Sequence, residues 1–137
     1  MHTSTERLVE AFLSRTLPKQ EWTHEAHLKV GLWHLLHYSP SDSLQKLRTN
    51  IKQYNVACGV ANTESQGYHE TITCFYVWKI AKFLQQVECT QPIDLLADKL
   101  ITLYGDKSLP FEYYSQDRLM TKTARLQWVE PDLKPLR

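Results

Sequence analysis

A chain of 137 residues with 42% hydrophobic and 23% charged residues has the length and composition of one globular domain that builds its core without disulfides. Its 16 Lys and Arg against 15 Asp and Glu leave a net charge of +1, so no one-sign field points to nucleic acid or an anionic membrane as partner. No apolar run approaches the ~20 residues that span a bilayer, and the N-terminus has no basic segment leading into an apolar one, which predicts a cytoplasmic protein.

Thr3 or Ser4 caps a first helix, from Thr5 to Arg15, on which Leu8, Val9, Phe12 and Leu13 recur at helical spacing. Pro18 closes it. Thr23 is the N-cap of a second helix that carries Leu28, Leu32, Leu35 and Leu36 and stops near Ser39 and Pro40. Ser41 with Asp42 opens a third, with Leu44, Leu47 and Ile51 as its apolar stripe, and Val60 to Gly67 reads as a loop. From Tyr68 a long helix carries Ile72, Tyr76, Ile80 and Leu84 and is expected to be the central one. Thr90 and Pro92 fit the start of a fifth helix, with Gly105 as a left-handed C-cap. Ser115 and Thr121 each cap a short turn of helix, and Pro131 and Pro135 hold the end extended.

No segment alternates apolar and polar residues, so the expected fold is a single all-α domain over residues 1–137, a bundle of about five helices with an irregular C-terminal tail. A small sheet is the less favoured alternative. Cys58, Cys74 and Cys89 form no C-x-x-C pair and read as reduced, mostly buried thiols, and Trp22, Trp33, Trp78 and Trp128 read as packing residues.

Histidine carries the chemical signal. Four of the six histidines, His24, His27, His34 and His37, fall in the second helix. With His24 at zero on a helical wheel, His27, His34 and His37 lie at ~300°, ~280° and ~220°, while the leucines lie between ~20° and ~120°. His24 therefore borders the core and the others turn away from it. Gly31 lies between the directions of His24 and His27 and leaves a notch there. At the N-terminus of a helix the dipole disfavours the imidazolium, so His24 and His27 are expected neutral and able to hold a metal or accept a proton. His24-Glu25-Ala26-His27 lacks the four-residue spacing of the metalloprotease motif, because Leu28 stands where the second histidine is needed.

In the long helix His69 lies in the apolar stripe and Glu70 at its edge, where a carboxylate needs a histidine, an arginine or a metal as partner. Convergence of the two helix starts would place His24, His27 and His69 around one divalent ion (Zn, Fe, Mn, Ni or Co), with Glu70 as fourth ligand or general base. Without metal, His69 and Glu70 are an acid and base pair, with Tyr54, Asn55, Asn62 and Tyr68 as hydrogen-bonding groups.

Trp22 to Leu28 (WTHEAHL), Gly59 to Thr63 (GVANT), Gly67 to Thr73 (GYHETIT) and Pro131 to Leu133 (PDL) together resemble a family of small helical bacterial proteins that has no activity known to us. The resemblance, whose closing pattern runs from Ala124-Arg125 through Trp128-Val129 to Pro131-Asp132-Leu133, implies that its polar positions His24, His27, Asn62, Tyr68, His69, Glu70 and Arg125 are functional. Three readings follow. The first is a metal-binding protein acting on a small molecule through the His and Glu site. The second is a metal-free protein that binds a small organic molecule or anion through the Thr23 helix start, Tyr68, His69 and Arg125. The third is an interaction module that docks or self-associates through an aromatic surface. No nucleotide-binding loop, dinucleotide fingerprint or nucleophile elbow is present.

Overall fold

Side-chain caps decide where the helices begin. Thr3 accepts from the Glu6 N–H at 3.1 Å while Glu6 accepts from the Thr3 N–H, a reciprocal box that opens α1 (Ser4–Leu13). Thr23 accepts from the Ala26 N–H at the start of α2 (His24–His37). The cap of α3 (Pro40–Ala57) is Ser39, two residues earlier than Ser41, because Pro40 fits the first helical position where no N–H is needed. His69 caps α4 (Glu70–Gln85), so the long helix starts two residues after the expected Tyr68. Pro92, with no side-chain bond, precedes α5 (Ile93–Tyr104), and Gly105 ends it at φ −75°, right-handed and not the left-handed cap expected.

The computed structural model describes residues 3–137, in which every regular element is helical. Two short helices, α6 (Gln116–Leu119) and α7 (Lys122–Leu126), follow the five long ones, with single 3₁₀ turns at Lys19–Glu21 and Leu109–Glu112. Ser115 and Thr121 cap α6 and α7 as their sequences suggest. Among the described residues no helix is long and apolar enough to cross a membrane.

The central element is α2, not α4. It packs against α1, α3, α4 and α5, and Leu28, Val30, Gly31, Leu32 and His34 are all buried. One side joins Val30 to Val9, Phe12, Leu47 and Tyr54; the other joins Leu28 and Leu32 to Ile80, Phe83, Leu96 and Leu100. Buried on several faces, α2 has no single apolar stripe, which is why a wheel drawn on its leucines misplaces His34. A Cβ on Gly31 would stand 2.9 Å from Ile80 Cδ1, so the glycine leaves room for the tip of the Ile80 side chain.

The C-terminal segment is docked rather than loose. Phe75 on α4 packs with Tyr113, Tyr114 and Leu119. The fully buried Thr71 hydroxyl donates to the Gln127 carbonyl at 2.9 Å and accepts from the Val129 N–H at 3.2 Å. Asp132 receives the Ser115 N–H and hydroxyl at 2.8 and 2.6 Å, which ties the tail to the cap of α6. Thr71→Val keeps the shape and leaves two backbone groups unpaired, so it should cost about 1–3 kcal/mol. Urea unfolding should show a lower midpoint with unchanged slope; an unaltered midpoint would mean that this hydroxyl does not anchor the tail.

Candidate functional site

His69 is occupied on both ring nitrogens. The Ile72 N–H donates to Nδ1 at 3.2 Å, and Nε2 lies 3.0 Å from the Leu119 carbonyl, which can only accept. These partners fix one neutral tautomer, with the proton on Nε2. Burial and the nearby Arg125 charge lower its pKa, against the opposing effect of the Leu119 carbonyl. His69 thus serves as a helix cap that also holds α6, and no nitrogen is left over for a metal or a proton transfer.

Glu70 found the arginine that its position calls for. Arg48, on α3, donates from Nε to Oε1 at 2.9 Å and from Nη2 to Oε2 at 2.6 Å, a two-pronged pair. Tyr68 Oη donates to Oε1 at 2.7 Å and Cys74 Sγ to Oε2 at 3.5 Å. Burial pushes the Glu70 pKa up, but the bonds from Arg48 and Tyr68 outweigh it and hold the carboxyl below its ordinary value. An anion so fully committed is a weak base. Burial and Glu70 push the Cys74 thiol up to about 12, so it is no nucleophile.

Beside this pair lies a polar cleft of about 300 Å³ containing Arg48, Lys52, Asn62, Tyr68, Glu70 and Arg125. Asn62 builds it and is consumed in doing so. Its Oδ1 accepts from Asn55 Nδ2 and the Tyr68 N–H at 2.9 and 3.0 Å, and its Nδ2 donates to the Lys52 carbonyl at 3.0 Å. Arg125, on α7, donates to the Gly67 carbonyl at 2.8 Å; Gly67 itself adopts φ +80°, with Ala61 O only 2.5 Å from where a Cβ would be.

The α2 histidines belong to a different cavity. His24, His27, Gly31, Tyr76 and Lys107 line a hollow of about 340 Å³ whose walls are otherwise mostly apolar, Leu28, Ile51, Ile72 and Leu119 among them. His27 Nδ1 donates to the Thr23 carbonyl at 2.7 Å, and its ring stacks on Trp22 with centroids 3.7 Å apart. Desolvation by packed neighbours lowers its pKa although the residue reaches solvent, so the neutral ring is favoured. His24 meets Tyr76 edge to face at 5.4 Å. Both residues carry a buried polar atom without a hydrogen-bond partner: His24 Nε2 and Tyr76 Oη.

The sequence-derived site is therefore divided by the first turn of α4. Asn62, Tyr68, Glu70 and Arg125 share the polar cleft; His24 and His27 share the apolar cavity; His69 lines neither. Among the described residues, no group of three or more His, Cys, Asp or Glu side chains is placed to hold a metal ion. Sequence reasoning missed Arg48, Lys52, Tyr76 and Lys107; only Tyr76, a hydroxyl within an apolar stripe, carried a signal.

Other expectations need correction. His34 does not turn away from the core: it is buried, with Nδ1 donating to the Val30 carbonyl at 2.7 Å. Tyr54 is a core residue whose hydroxyl donates to the Leu17 carbonyl. Cys89 is exposed, and Cys58 and Cys74 are half-buried. Comparison with protein-family models, curated proteins and solved structures gives no match for this chain.

His24, His34 and His69 sit below the ordinary imidazole value of 6.5, with burial as the largest cause. A lowered imidazole pKa makes the unfolded chain bind more protons, so stability is complete above ~6.5 and declines as pH drops beneath it. The lowered carboxylates act only below ~4. The urea midpoint should fall between pH ~7.5 and ~5, and fall less in His34→Gln; a flat profile would show these rings titrating normally.

Proposed function

We propose that the protein binds a small, largely apolar molecule bearing one hydrogen-bonding group, in the cavity between α2 and α4. The observation that carries this reading is the pair of orphaned polar atoms, His24 Nε2 and Tyr76 Oη, in residues of an otherwise mostly apolar cavity. Each buried unpaired group costs about 1–3 kcal/mol, a cost that a ligand supplying the partner would recover. Burial and the Asp106 charge raise the Tyr76 pKa, so the hydroxyl stays protonated and can donate. Desolvation lowers the His24 pKa against the opposing effect of the Tyr104 carbonyl, so the ring stays neutral, with one nitrogen able to donate and the other to accept. A donor and an acceptor together suit a hydroxyl, an amide or a ring N–H.

The volume of about 340 Å³ is at the lower end of the ~300–1,000 Å³ of ligand pockets, the size of one or two fused rings. Lys107, exposed at the lining, adds an anion-attracting charge. A metal centre at His24, His27 and His69 has weaker support, because His69 would have to give up a hydrogen bond to free a nitrogen for it.

The test is a matched set of probes, indole and p-cresol beside naphthalene and toluene, followed by methyl shifts of Leu28, Ile72 and Ile80. Indole and p-cresol should bind better than their apolar counterparts. Tyr76→Phe should weaken p-cresol about tenfold while leaving the free protein as stable or up to ~1 kcal/mol more so, since the removed hydroxyl has no partner. No binding by any probe at millimolar concentration, or equal binding by the polar and apolar members, would overturn the reading.

A further inference from the structure

The polar cleft on the other side of the α4 start carries a charge arrangement of its own. Three cations, Arg48, Lys52 and Arg125, and one carboxylate, Glu70, line it. Arg48 and Glu70 cancel each other through their two-pronged bond, and the Glu70 side chain is only 13% exposed. Two positive charges remain. No ion pair holds Lys52 or Arg125 among the described residues; Lys52 Nζ stands 5.2 Å from the centre of the Tyr68 ring, and Arg125 spends Nη1 on the carbonyls of Gly67 and Tyr68. Arg125 Nε and Nη2 have no hydrogen-bond partner there.

The Arg125 guanidinium and the Lys52 backbone are held in place. The Gly67 carbonyl that orients Arg125 is fixed by a glycine-only turn, and Asn62 ties the Lys52 backbone to the same loop. The indole of Trp128, half-buried at the cleft, offers a flat apolar wall beside the charges. Glu70 does not oppose an incoming anion, because both its oxygens already accept two donors each.

We propose that this cleft is a second, separate site, which binds the dianion of a small phosphate monoester, with Lys52 and Arg125 on the phosphate oxygens and Trp128 against the organic group. The match is one of charge and donor geometry: two unspent cations for a dianion, and a planar guanidinium fork for oxygens in a plane. A carboxylate has half the charge and should bind more weakly.

The experiment titrates phenyl phosphate, inorganic phosphate, benzoate and sodium chloride into the full chain at low ionic strength, by calorimetry and by the backbone shifts of Gly67 and Trp128. Phenyl phosphate should bind more tightly than inorganic phosphate, benzoate more weakly, and chloride without saturation. Lys52→Gln, at an exposed position, should weaken phenyl phosphate about tenfold, and Arg125→Gln more. Lys46→Gln, whose ammonium stands over Tyr38 elsewhere, should change nothing. Indole binding at the apolar cavity should be untouched by Lys52→Gln, which separates the two sites. Should Arg125→Gln fail to fold, Lys52→Gln decides alone. Binding unaffected by Lys52→Gln, equal affinity for all anions, or no saturable binding at millimolar concentration would overturn the proposal.

Discussion

The start of α4 depends on one imidazole that is bonded at both ends. His69 accepts the Ile72 N–H at Nδ1, satisfying one of the free donors of the helix terminus, and donates Nε2–H to the Leu119 carbonyl 50 residues further on. A switch of tautomer would break both bonds at once, because a neutral imidazole has one donor and one acceptor. The residues beside it inherit their places. Tyr68 and Glu70 fall toward the cleft, Ile72 and Thr73 toward the cavity, and Thr71 takes the tail. Two cavities of opposite character thus lie on either side of a few residues of chain. Their separation is chemically sensible: desolvation that sharpens hydrogen bonds in the apolar cavity would penalise the free charges of the cleft.

The histidines of α2 illustrate a different economy. His27, His34 and His37 each place Nδ1 within hydrogen-bond distance of the carbonyl four residues earlier, which fixes the proton on Nδ1 and turns Nε2 outward along the helix. His27 and His37 stack on Trp22 and Trp33. A run of histidines that looks like a ligand set is, in large part, a set of locally satisfied rings. His24 is the exception: in the first turn it has Thr23 as cap rather than a full turn of carbonyls before it, and its Nε2 is left buried and unpartnered.

Helix existence and the caps at Thr3, Thr23, Ser115 and Thr121 were legible because they depend on neighbours in sequence, whereas the docking of the proline-held tail, made by Thr71 and Ser115, was not. The need of Glu70 for a partner was legible too, since a carboxylate at a buried border cannot stand alone; which arginine answers it depends on how α3 crosses α4 and has no local signature. The helical wheel placed His24 at the edge of the core but could not show that α2 is covered on several sides, and so it misjudged His34. His69 was legible as a buried polar residue in the apolar stripe. Its use as a cap was not, because histidine is a rare one and the second bond comes from a carbonyl far along the chain. The division of the sequence-derived residues into two groups, and the arrival of Arg48, Lys52, Tyr76 and Lys107 beside them, were properties of the packing alone.

The measurement that bears most directly on this account is the nitrogen-15 NMR of the imidazole rings in the free protein, followed from pH ~8 to ~5.5. His69 should show an unprotonated Nδ1 and a protonated Nε2 throughout, with slow exchange of the Nε2 proton. A His69 that titrates near 6.5, or that carries its proton on Nδ1, would release a nitrogen for metal or proton transfer and contradict the structural role on which the two-site reading rests.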